Sequence, residues 1–331
     1  MTAHRRVGDA LNAALGTLLA EDPALYLLGE DIADPYGGAF GITRGLSTRF
    51  PRQVITTPIS EAGIVGVANG LALAGDKAIV EMMFADFVAL AFDQIVNFAA
   101  KSTTMYGHPV PMPVVVRCPT GGNRGYGPTH SQSPQKHFIG VPGLDVYELS
   151  PLHDPVALLR ELLGSGRPSL LFEDKTLYAA PLRPDDLFRV THHGFTAHVR
   201  VDDDIPADDY LIVAPGGLTG RATVAMRSLL LRYELSGRLL VPARLHPLDL
   251  DPLLEAATST SRVVVVEDGP PGAAWGTEVA YRLQRALWGT SSGPVRLCQA
   301  ADGVIPTAAH LEREVLVQAE TIVRAVLEAH R

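Results

Sequence analysis

Cysteine is nearly absent from this chain: Cys118 and Cys298 are the two among 331 residues, far apart and in no CxxC or metal-ligand spacing. That excludes a disulfide scaffold and a zinc module, and suits two buried thiols in a reducing compartment. Basic charge is also short, with 28 Lys and Arg against 36 Asp and Glu, a formal net charge of −8. A diffusely acidic surface has no field to gather nucleic acid or anionic lipid, and no basic and aromatic interleaving is present. Long apolar runs are missing as well, each being broken by Gly, Asp or Pro short of a membrane span. The opening MTAHRRVGDALNAAL lacks the apolar core and small-residue cleavage site of a secretory leader. The expectation is a cytoplasmic protein with no nucleic-acid or membrane partner.

Several signature loops are missing too. Neither GxGxxG nor GxSxG follows a strand, no GxxxxGK[ST] occurs, and the histidines form no zinc pattern. Dinucleotide-fingerprint, P-loop, nucleophile-elbow hydrolase and metalloenzyme readings fall away, and no side-chain metal ligands are expected.

What is present is a chain of 47% apolar residues in which β-rich runs alternate with helical patterns. Residues 6–20 read as a helix. ALYLLGEDI (24–32), QVITT, KAIVEMMF, PVVVRCP, LDVYEL and PSLLFED read as strands. A helix follows Pro58, and a long amphipathic one is expected across FVALAFDQIVNFAAKST. The segment from Pro181 to Tyr210, with LRPDD and VDDDIPADD, is polar and loop-rich, with room for a strand or two. Beyond it DYLIVAPGG, GRLLVPARLHPLD, SRVVVVEDG and PVRLCQA alternate with helices at 219–234, at TEVAYRLQRALW and at the C-terminus. Strands separated by helices predict an α/β protein of two domains with a largely parallel N-terminal sheet. The expected division is 1–190, a linker at 191–207, and 208–331.

Ligands of open α/β sheets bind beyond the strand ends. Four stretches put polar groups there: GED (29–31), PISE (58–61), FADF (84–87) and TGGNRGYGPTHSQSP (120–134). The last is dense in hydrogen-bonding groups, which fits a binding loop; a flexible surface loop is the plainer account. Glu61 heads an otherwise uncharged run that continues to Gly75, and a buried carboxylate is costly unless something meets it. Two accounts of Glu61 stand open. Ser60 caps a helix and Glu61 is a favourable acid in its first turn, or Glu61 points into a cavity and meets a ring nitrogen. On the residues alone Phe87 also reads as core, and His130 as a solvated loop histidine.

The motifs LLGED, GGAFGITRGL, TPISEAGIVGVANGLALAG, FADF, AFDQIVN, HSQSP, PGL and FEDKTLY, in that order, resemble the β subunit of the E1 component of 2-oxo acid dehydrogenase complexes, the pyruvate, branched-chain and acetoin dehydrogenase group. RVVVVEDGPP, GTEVA and DGVIPTAAHLE extend the resemblance over essentially the whole length. It implies a thiamine diphosphate enzyme whose N-terminal domain binds the cofactor's pyrimidine and whose smaller C-terminal domain is transketolase-like. It also implies an α2β2 heterotetramer. The α-type subunit then supplies the diphosphate and magnesium half-site through a GDG…N motif that this chain lacks, so the chain is inactive alone.

By the same resemblance Glu61 hydrogen-bonds the aminopyrimidine and promotes its imino tautomer. Glu30 is a second site carboxylate, and two neighbouring carboxylates hold a proton that neither holds alone. Phe87 packs on the pyrimidine, and His130 orients the oxo acid or transfers a proton. Many members hold a structural potassium ion on main-chain carbonyls, which leave no sequence trace. The implied reaction is oxidative decarboxylation of a small 2-oxo acid with acyl transfer to a lipoyl group, in company with a lipoyl acyltransferase, E2. Departures leave a second reading. The related HSQSPEAFFAHIPG is HSQSPQKHFIGVPG here, with Gly140 at the second histidine's place and a histidine at His137; and ARLHPLD, with Pro242 ahead of it, replaces LRTLRPLD. His137 reads equally as a solvated helix residue beside Lys136. The alternative function is a specialised biosynthetic enzyme, split transketolase-like or acyloin-forming, with a non-lipoyl acceptor. A scaffold that has lost its chemistry is a third class, against which the joint presence of Glu30, Glu61, Phe87 and His130 argues.

Overall fold

A computed structural model describes residues 6–182, 187–201, 208–260, 262–289 and 293–329. The chain divides into two units. The first comprises the described residues up to Thr120 together with Gly140–Leu149 and Asp154–Leu182; the second comprises Gly121–Ile139, Ser150–His153 and the described residues beyond Leu182.

In the first unit helix α1 (Val7–Glu21) leads into strand β1 (Leu25–Glu30), followed by β2 (Val54–Thr57), α2 (Glu61–Leu73), β3 (Lys77–Glu81), β4 (Val114–Thr120), β5 (Asp145–Leu149), α3 (Pro155–Gly164) and β6 (Ser169–Asp174). The strands run in the order β5-β6-β4-β3-β1-β2, every pair parallel. Every residue of β4, β5 and β6 is buried, as the near-continuous apolar runs of a parallel sheet require. Asp154 starts α3 by accepting the Val156 N–H at 2.9 Å, with Pro155 in the first turn, where its missing N–H costs nothing. The chain runs from β1 to β2 on one side, then returns to β3 on the other side of β1. The β1/β3 boundary is therefore the switch point at which ligands of open α/β sheets bind, beyond the strand C-termini.

The single long helix expected over 87–103 is broken instead into a 3-10 turn at Ala85–Ala91, a π-helical turn at Gln94–Ala99 and a short α-helical turn at Ala100–Ser102. The cause lies on the neighbouring helix. Asn69 of α2, fully buried, donates from Nδ2 to the Gln94 carbonyl at 3.0 Å, so that carbonyl bonds across helices. A π-turn is a known way to accommodate such a rearrangement, and it clusters at functional sites.

The second unit holds β7 (Arg189–His193), β8 (Thr196–Arg200), β9 (Tyr210–Val213), α4 (Thr219–Tyr233), β10 (Gly237–Pro242), β11 (Val263–Val266), α5 (Trp275–Ala286), β12 (Arg296–Cys298) and α6 (Ala319–Glu328). Its sheet runs β12-β11-β9-β10-β8-β7, parallel as far as β10 and antiparallel through β8 and β7. Its core gathers Ile212, Met226, Leu229, Leu239, Val264, Ile322 and Val326. Within the stretch 191–207 expected as a linker, β8 is paired into this sheet. Residues 202–207, and 183–186 of the LRPDD stretch, lie outside the described residues. Among the described residues no helix is long and apolar enough to cross a membrane.

Candidate active site

Glu30 is the last residue of β1, in register with Thr57 at the end of β2. Glu61 is the first residue of α2, which follows β2. The fold thus carries both acids to the C-terminal edge of the sheet, at its switch point. Both are buried, Glu30 8% and Glu61 6% exposed. Among the described residues Glu30 Oε1 is buried without a hydrogen-bond partner. Burial raises the Glu30 pKa, the Glu61 charge raises it further, and a hydrogen bond from the Ser60 backbone N–H opposes them. The helix-cap account of Ser60 does not hold: its side chain makes no capping bond, and its Oγ lies 2.7 Å from where a Cβ on Gly63 would be.

Phe87 lies in the turn that follows β3, a turn packed against α2. It is half-buried, and its ring meets Phe84 edge to face at 6.0 Å. Phe84 meets Phe40 in the same way at 6.0 Å, and Phe40 meets Tyr178 at 5.4 Å. Edge-to-face contacts fix ring orientation as well as burying area. Phe40 holds a left-handed backbone at φ +59°, which a bulky side chain adopts only when its surroundings impose it.

Those surroundings are an ion cluster that sequence reasoning missed. Arg117 of β4, fully buried, donates from Nη1 to Glu81 of β3 at 2.7 Å and from Nε and Nη2 to the two oxygens of Glu173 of β6 at 2.8 Å each. The Tyr178 hydroxyl donates to Glu173 at 2.7 Å, and Glu81 accepts the Ala39 N–H at 2.7 Å. Both carboxylates hold the Arg117 pKa above its usual value although burial opposes them, while burial raises that of Glu81. The cluster thus grips the GGAFG loop. Gly38 has φ +73°, and a Cβ there would collide with the Glu81 carboxylate. The only signals in sequence were the charges Glu81, Arg117 and Glu173 in the mainly apolar runs KAIVE, VVVRCPT and SLLFED.

His130 belongs to the second unit. Its Nδ1 shares a hydrogen bond of 2.9 Å with Thr129 Oγ1. The loop that carries it is held rather than free. Gly121 N–H donates to the Gln132 carbonyl at 3.1 Å, and the buried Glu312 accepts the N–H groups of Asn123 at 2.9 Å and Gly125 at 3.1 Å. Glu312 is a second residue missed from sequence, its signal being the acid of HLE. Gly140 has φ +85°, a backbone that strains any histidine, so the related motif's second histidine has no unstrained place there.

A parallel-sheet unit with two buried acids at its switch point, joined to a mixed-sheet α/β unit, defines a transketolase-type pair of domains. Residues 4–181 match the transketolase pyrimidine-binding domain, and residues 198–322 the transketolase C-terminal domain. The chain is 34% identical to the pyruvate dehydrogenase E1 component subunit beta of Leifsonia xyli, over 96% of this chain and 92% of that one. It is 33% identical to the mitochondrial subunit beta-1 of Arabidopsis thaliana, over 96% and 87%. It is 30% identical to the acetoin:2,6-dichlorophenolindophenol oxidoreductase subunit beta of Bacillus subtilis, over 97% and 96%. In fold it is similar to a solved split-gene transketolase, titled an inactive beta4 tetramer, with a TM-score of 0.74 at 21% identity and 97% coverage of both chains.

The chain belongs to this family, that of the E1 β subunits with transketolase-type pyrimidine-binding and C-terminal domains. The family is thiamine diphosphate-dependent, and its E1 β members imply an α partner. The residues present fit such a cofactor: a buried carboxyl oxygen without a partner, beside a second buried acid, is what a ring nitrogen and its amino group require.

Proposed function

We propose that this chain is the β subunit of a thiamine diphosphate-dependent 2-oxo acid dehydrogenase E1 of the cytoplasm, acting in oxidative decarboxylation of a 2-oxo acid with acyl transfer to a lipoyl group. The observation that carries the reading is the buried pair Glu30 and Glu61 with one Glu30 oxygen unpaired. Two neighbouring buried acids can share a proton, and burial together with the Glu61 charge raises the Glu30 pKa. When bound, the cofactor supplies a carbon acid that adds to the oxo group and takes up the electrons released with carbon dioxide.

Glu61 would hold a pyrimidine nitrogen and pass a proton to or from it. Glu30, its pKa raised by burial and by the Glu61 charge, would meet the same ring. Phe87, its ring oriented by Phe84, gives the pyrimidine an apolar face. His130 orients the oxo acid and moves a proton to or from it. The diphosphate and its magnesium fall to an α-type subunit, since this chain has no GDG…N motif. The assembly is an α2β2 heterotetramer that hands its acyl group to a lipoyl acyltransferase.

The test is reconstitution with an α-type subunit. Glu61→Gln is expected to assemble normally and lose turnover by about 100-fold or more, the scale of a general acid–base contribution. Normal turnover by that variant, or decarboxylation by the purified β chain alone, overturns the reading.

A further inference from the structure

A cavity of about 240 Å³ opens in the second unit. Val304, Ile305, Leu316 and Pro270 line it with apolar surface, while Lys136 brings an ammonium and His137 an imidazole to it. The Lys136 ammonium reaches the Gly272 carbonyl at 3.4 Å, and among the described residues no carboxylate is paired with it. One acid, Asp268, lines the cavity, and its charge is already met. Arg221 Nη2 lies 2.7 Å from Oδ2, and Oδ1 accepts the Val317 N–H at 3.0 Å. The neighbouring Glu267 is buried, bonded to the Gly276 N–H at 2.9 Å and to the Gln299 side chain. Burial pushes its carboxyl up, with the Lys136 charge among the opposing effects.

His137 is pushed down, first by burial and then by Lys136. Among the described residues neither Lys136 nor His137 is in an ion pair.

We propose that this cavity binds a small monocarboxylate with a short branched apolar tail, the carboxylate between Lys136 and His137 and the tail on Ile305 and Leu316. Charge-assisted hydrogen bonds suit a carboxylate here, and the apolar wall rewards a tail that inorganic anions lack. An anion beside His137 favours the imidazolium, so binding and protonation of His137 are linked. Neither Lys136 nor His137 is assigned to the thiamine reaction, so the site stands or fails apart from it.

The test uses the full chain, with 3-methylbutanoate as probe and its neutral amide and inorganic phosphate as controls. Calorimetry follows binding, and proton NMR follows the His137 ring, assigned by His137→Gln. Saturable binding of the carboxylate is expected, with an upward shift of the His137 midpoint. Lys136→Met should weaken it about tenfold or more, since a charge-assisted bond is lost. The amide should bind far more weakly, and phosphate should compete poorly. Equal binding of carboxylate and amide overturns the proposal, as does tighter binding of phosphate. An unmoved His137 midpoint in saturating carboxylate overturns it too. If Lys136→Met fails to fold, His137→Gln decides alone: unchanged affinity in that variant is negative.

Discussion

Burial, and then the charge of Glu61, raise the proton affinity of Glu30, although the two acids come from different elements, the end of β1 and the start of α2. A strand end and a helix start meet here because β1 and β2 pair in parallel, with Glu30 in register with Thr57. Burying two carboxyl groups where the charge of one acts on the other costs stability.

That cost has a pH signature. A carboxyl whose folded pKa lies above its unfolded value stabilises the fold below the unfolded value, near 4.3, and loses that contribution as pH rises through the folded one. Glu30→Gln is therefore expected to raise the melting temperature of the isolated chain at pH 7 relative to wild type. The difference should shrink toward pH 4. Equal melting temperatures of the two proteins at neutral pH would contradict the assignment.

Histidine 153 gives the opposite slope. It is buried, its Nδ1 bonded to Ser150 Oγ at 2.6 Å and its Nε2 to the Phe195 carbonyl at 3.1 Å, so the neutral ring donates from Nε2 and accepts at Nδ1. Burial, with a contribution from His192, pushes its pKa down to about 4. Because the unfolded ring titrates near 6.5, stability is full above that value and falls as pH drops toward 4. At pH 5 the expected loss is about 2 kcal/mol, and His153→Gln should flatten the dependence of the urea midpoint between pH 7 and 5.

Arg117 is expected to be among the least replaceable residues. Arg117→Met leaves Glu81 and Glu173 facing each other without a counter-charge, with an expected loss of about 3–5 kcal/mol by urea denaturation. Lysine has no planar fork, so Arg117→Lys should rescue only part of it. Replacing all three charges together with apolar residues should cost less than the single change.

Glu312→Gln tests whether the His130 loop is held from a distance. The variant loses a charged acceptor for two backbone N–H groups, a cost of about 1–3 kcal/mol. Faster hydrogen exchange at Asn123 and Gly125 is expected, with α6 unchanged. In the reconstituted enzyme kcat should fall more than assembly does.

Phe87→Leu keeps an apolar side chain and removes the ring face. Thiamine diphosphate should bind the reconstituted enzyme about tenfold more weakly, the upper range of an aromatic contact. Thermal stability should change little, because Phe87 is only half-buried. A melting loss without any change in cofactor affinity would return Phe87 to the core.

Much of the first unit was legible because its information is local. The apolar runs of β1, β3, β4 and β6, and the uncharged run behind Glu61, are recorded in consecutive residues. The break at Gln94–Ala99 was not legible, since the amphipathic pattern continues across it and its cause, Asn69, lies on another helix.

By itself the sequence determined the class of protein: two α/β domains, acidic overall, with ordered motifs running from Leu28 to Tyr178 and no diphosphate motif. Tertiary structure decided which charges meet. Glu30 and Glu61 couple at the switch point, Arg117 is clasped by acids from two flanking strands, and Glu312 grips a loop far earlier in the chain. Sequence patterns report period and composition along one element. Strand order and register, which put distant side chains within hydrogen-bonding reach, exist only once the sheets are built.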